Sequence, residues 1–123
     1  MDTSHKIIDA DRACELARHP GTTVVIGAFD PLLAAHVREL RRVRNRTAGG
    51  PLLIVLAQPV EALLPLRARA EMVAALRMVD FVFPAGGDTE AERFLSPQAV
   101  DFRPDDRERA LHLTEHVQRR HTP

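Results

Sequence analysis

The chain has 123 residues, enough for one hydrophobic core and not two, so a single domain over residues 1–123 is expected. Its 17 basic and 17 acidic side chains cancel, which disfavours the basic face that a nucleic-acid binder needs. A lone Cys14, no apolar window near the ~20 residues that span a bilayer, and no basic stretch leading into an apolar run at the N-terminus together predict a reduced, cytoplasmic setting with no nucleic-acid or membrane partner.

From Asp9 to Arg18, Ala10, Ala13, Cys14 and Ala17 recur at helical spacing until His19-Pro20-Gly21 breaks the pattern, which predicts a short amphipathic helix. Thr22 to Ile26 is a β-branched run closed by Gly27, the pattern of a strand buried on both faces. Leu32 to about Arg44 carries Leu33, His36, Val37, Leu40 and Val43 at spacings of three or four, with Arg38, Arg41, Arg42 and Arg44 between them, and so predicts a helix with a basic outer face. Leu52 to Ala57 is a second apolar run of strand length. Leu66 to Val79 shows Ala70, Val73, Leu76 and Val79 on one helical stripe. Asp80 to Pro84 is a third strand, Asp88 can cap a helix through Phe94, Ala99 to Phe102 can form a fourth strand, and Asp105 or Asp106 can cap a last helix to about Arg119. This alternation predicts an α/β domain of Rossmann-like type, with a mainly parallel sheet and helices on both faces.

The most informative junction is the strand, glycine turn and helix start from Val24 to Leu40. In a parallel sheet ligands gather at such junctions, because strand ends and helix N-termini converge there with unpaired N–H groups. Gly27, Phe29, Asp30 and His36 match the G-x-F-D-x-x-H-x-G-H motif of the cytidylyltransferase-like nucleotidyltransferases, whereas Leu33 replaces the first histidine and Ala35 the second glycine. The segment Arg67 to Val82 resembles the R-x-E-x-x-x-x-L-R-x-V-D-x-V helix and strand of the members that act on sugar phosphates and glycerol phosphate, and Gly87-Asp88-Thr89 resembles their next helix start. The resemblance covers about Lys6 to Arg103 with order and spacing kept.

Such enzymes transfer a nucleotidyl group from a nucleoside triphosphate to a phosphorylated acceptor with magnesium. The resemblance therefore implies a nucleotide site at Gly27, Ala28, Phe29, Asp30, His36 and Arg69, with His36 as the surviving catalytic group and Mg2+ with ATP or CTP as cofactors if the chain is active. No protein metal ligand is implied. The departures fall where the chemistry belongs: Leu33 cannot donate to a phosphate, and the Cβ of Ala35 narrows the space that glycine leaves. Lys6 is the sole lysine, so the loop from Gln58 to Arg67 lacks one, and Phe102 to Arg107 replaces the family's late triphosphate-gripping segment with Asp105 and Asp106. Together these imply a degenerate, catalytically impaired domain that keeps nucleotide or phosphate binding and acts as a binding, regulatory or homodimer-forming protein. The alternative is an active nucleotidyltransferase that uses His36, Arg69 and groups from a partner subunit.

Simpler readings compete at each position. Gly27 and Asp30 can form a tight turn in which Asp30 or a neighbour caps the helix, His36 can be a hydrogen-bonded core histidine, and Arg77 can pair with an acid. His112-Leu113-Thr114-Glu115-His116 has the spacing of a zinc-peptidase helix, yet it lies in a helix rich in charged residues where chance explains it. The cluster Arg38, Arg41, Arg42, Arg44 and Arg46 lacks interleaved aromatic residues and reads as a solvated helix face.

Overall fold

A computed structural model describes residues 2–47, 49–59 and 61–104 of the chain. After a single 3-10 turn at Ser4–Lys6, the order is α1 (Ala10–Arg18), β1 (Thr23–Gly27), α2 (Ala34–Arg46), β2 (Leu52–Leu56), α3 (Leu66–Ala74), β3 (Phe81–Pro84), α4 (Asp88–Glu92) and β4 (Val100–Asp101). Asp9 caps α1 by accepting the Arg12 amide at 2.9 Å.

The strands form one four-stranded sheet in the order β3-β2-β1-β4, with every pairing parallel. Thr23 to Gly27 lies in register with Leu52 to Leu56, so the two most apolar strands are central neighbours, as their composition predicts. Strand alternation divides the core. Val25, Leu52, Ile54, Leu56 and Val82 pack with Leu40 and Val43 of α2 and Ala70, Val73 and Ala74 of α3. Val24, Ile26, Leu53, Val55 and Phe83 face the other way, onto Ala13 and Leu16 of α1 and Ala91 of α4. Each fully buried Val, Leu or Ile side chain among these contributes roughly 1.5–3 kcal/mol.

The chain moves from β1 to β2 to β3 in one direction, then returns across the sheet to place β4 on the far side of β1. That reversal carries the connecting helix from the α2/α3 face to the α1/α4 face, as a constant crossover hand requires. Gly50 is indispensable at the opposite edge, since a Cβ there would stand 1.8 Å from the Gly21 carbonyl oxygen. The two glycine turns touch and set the start of the β1–β2 ladder, where the Thr23 amide donates to the Pro51 carbonyl at 3.0 Å.

Boundaries differ from the sequence expectation where tertiary contacts intervene. Helix α2 begins at Ala34 rather than Leu32, because Leu32 packs against the core and Leu33 is extended with φ −108° and ψ 160°. Helix α3 stops at Ala74 instead of running to Val79. There the hydrogen bonds tighten to i→i−3 pairs, Leu76 to Val73 and Val79 to Leu76, as Val79 drops into the core. Gly87, not Asp88, occupies the N-cap of α4, and Asp88 opens its first turn. The expected last helix, with Asp105, Asp106 and the 112–116 motif, lies outside the described residues. Among those residues no helix is long and apolar enough to cross a membrane.

Candidate functional site

Strand β1 ends at Gly27, beside β4 and at the point where strand order reverses. In open parallel sheets this switch point forms the natural crevice at the strands' C-terminal ends. A Cβ on Gly27 would lie 2.8 Å from Cε2 of Phe29 and 3.3 Å from Cβ of Phe102, so glycine is needed to admit the two phenylalanines. Phe29 is fully buried and has φ +49°, a left-handed conformation that costs a bulky residue roughly 1–3 kcal/mol. The compensation is packing. Its ring meets the His36 ring edge-on at 5.0 Å between centroids and the Phe102 ring at 5.8 Å.

Asp30 does not cap α2. Its carboxylate reaches across to the β2–α3 loop, where Oδ2 accepts the Leu63 amide at 2.6 Å and Oδ1 the Leu64 amide at 2.8 Å. The carbonyl of the same Leu64 accepts from Nε of Arg69 at 3.2 Å. Arg69, in the first turn of α3, is wholly buried, and its NH1 group donates to the carbonyls of Ala28 and Ala57 at 2.8 Å each. Its NH2 group donates to Oε1 of Gln58. One guanidinium thus ties the residues that follow β1 and β2 to the loop between β2 and α3. Burial pushes the Arg69 pKa below the usual arginine value, and nearby Asp30 pulls it back up.

His36 is almost completely buried, and its Nδ1 accepts the Leu33 amide at 2.9 Å. It therefore fulfils half of a capping box from inside the first turn of α2, and an imidazole that accepts at Nδ1 carries its proton on Nε2. Leu33 at the N-cap offers no side-chain cap, and the first turn of α2 contains no acid. The Ala34 side chain is exposed and Ala35 is half-buried there.

The structure therefore gathers Gly27, Ala28, Phe29, Asp30, His36 and Arg69 at one edge of the sheet. Arg77 stands apart: it is exposed, it lines the opposite edge, and among the described residues no acid pairs with it, contrary to the simplest expectation. Two contributors were not apparent from sequence. Gln58 holds Arg69, and Arg103, nearly buried at the end of β4, is gripped by Asp101 through Nε and NH2 at 3.0 Å each. The Asp101 hydrogen bond raises the Arg103 pKa, burial opposes it, and the charges of Asp101, Asp88 and Glu92 add to the rise.

The magnesium that the family resemblance implies finds no ready ligand set here. Both Asp30 oxygens accept amides and both Asp101 oxygens accept from Arg103. Among the described residues no three His, Cys, Asp or Glu side chains are grouped to hold a metal ion. Fold and site together define a doubly wound, all-parallel α/β protein of Rossmann-like type with its switch point between β1 and β4. No protein-family model matches the chain, and no curated protein matches it.

Proposed function

We propose that the chain is a nucleotidyltransferase-like domain that has lost nucleotidyl transfer and binds a nucleotide or a phosphorylated small molecule at the β1–α2 turn, serving as a regulatory or dimer-forming partner. The observation that carries this reading is how the edge spends its polar groups. Asp30 is committed to the Leu63 and Leu64 amides, and Arg69 to the carbonyls of Ala28, Ala57 and Leu64 and to Gln58. Phosphoryl-type transfer depends on cations and N–H groups placed around the moving phosphates, and one missing donor costs on the order of a hundredfold in rate. Leu33 supplies none where the family has histidine, and Arg69 is held away from that task.

Binding is a lesser demand. The N-cap Leu33 of α2 supplies no side-chain cap, and the first turn lacks an acid that would repel an anion drawn to the helix N-terminus. Its place at the switch point favours a phosphate there. Incubation with ATP or CTP, magnesium and a panel of phosphosugars is expected to release no pyrophosphate above the protein-free background. Sustained release proportional to protein concentration would overturn the loss of transfer.

A further inference from the structure

The opposite edge of the sheet holds an open cavity of about 520 Å³. It lies where β2 and β3 begin and is lined by His5, Lys6, Arg44, Arg77, Asp80 and Phe81, with the Gly50-Pro51 turn as a wall. Three permanent cations and a histidine thus face one carboxylate, in a chain whose formal charge is zero.

The charges within it are not equivalent. Asp80 is already neutralised: its Oδ2 accepts from Arg44 NH1 and from the Leu52 amide, at 2.8 Å each. Arg44 NH1 also donates to the Gly50 carbonyl at 2.9 Å. Lys6 Nζ donates to a neutral group, the Leu76 carbonyl at 3.1 Å, and among the described residues no carboxylate pairs with its charge. Arg77 has no carboxylate partner among the described residues. Concave walls of low dielectric focus such unbalanced charge.

We infer that this cavity binds a small phosphate-bearing molecule, with Lys6 and Arg77 as the principal contacts and His5 as an additional donor. The guanidinium fork of Arg77 suits a phosphate bidentately, and Lys6 supplies a point charge. At about 520 Å³ the space exceeds a bare phosphate and leaves room for an organic remainder against Pro51 and Phe81. The site is separate from the β1–α2 turn and stands or falls independently of it.

Amide NMR titrations of the full chain with inorganic phosphate and with ribose 5-phosphate test the assignment. Saturable shifts are expected at Lys6, Gly50, Arg77 and Phe81, with affinity reduced about tenfold in Arg77→Ala and unchanged in Arg67→Ala, which removes an exposed arginine elsewhere on the surface. Arg77 is exposed, so its truncation leaves the fold intact. Tighter binding of the sugar phosphate identifies an organic phosphate as the ligand, and equal binding identifies the free anion. Absence of shifts at this edge with both probes, or equal affinity in Arg77→Ala and the parent, overturns the inference.

Discussion

Gly27, Phe29 and Arg69 are each explained by what they touch. The close approach of Phe29 and Phe102 leaves no room for a Cβ at Gly27. Gly27→Ala is therefore expected to destabilise the protein by about 1–3 kcal/mol, measured as a shift in the urea midpoint. Shortening the ring in the Gly27→Ala/Phe29→Leu double variant is expected to cost less than the sum of the two single changes, because both act on one contact. Arg69→Met keeps much of the side-chain volume but removes the hydrogen bonds that Arg69 donates to the carbonyls of Ala28, Ala57 and Leu64. A loss of about 3 kcal/mol or more is expected from urea unfolding, and a loss below 1 kcal/mol would show that water replaces the guanidinium freely.

At the scale of elements, the β1–α2 turn and the β2–α3 loop act as one unit through Asp30. Asp30→Ala removes the acceptors of the Leu63 and Leu64 amides, so hydrogen exchange at those two amides is expected to accelerate at least about tenfold while exchange in β1 and β2 changes little. Strands β1 and β2 and helices α1 and α2 were legible in sequence because apolar runs, 3.6-residue spacing and glycine or proline breakers encode them locally. The end of α3 was not, since the helical stripe of Leu76 and Val79 serves equally well for a tight turn entering the core. The partners of Asp30 and Arg69 were also hidden. Backbone amides and carbonyls occur at every residue, so which ones a side chain reaches some 30 to 40 positions away is set by the packed fold alone.

Across the whole molecule, the parallel sheet presents two edges of different character. One is the switch-point end, where the candidate residues hold one another and Leu33 gives α2 no side-chain cap; the other is the basic cavity at the strand starts. Zero net charge conceals this division, because composition averages over the surface. Gly27 to Asp30, His36 and Arg69, singled out in the sequence, lie together at one end of the sheet, while Gln58 and Arg103 became visible only with the fold. The measurement that bears most directly on nucleotide binding at the switch point is a calorimetric titration with ATP and CTP in the presence of magnesium, comparing Arg77→Ala with the Arg77→Ala/Ala34→Glu double variant. Ala34 is exposed at the first position of α2, where glutamate favours the helix dipole but repels a bound phosphate. With the basic cavity disabled by Arg77→Ala, a saturable heat that disappears when Ala34→Glu is added is the expected result; no heat at all in that background, or a heat unchanged by Ala34→Glu, would contradict it.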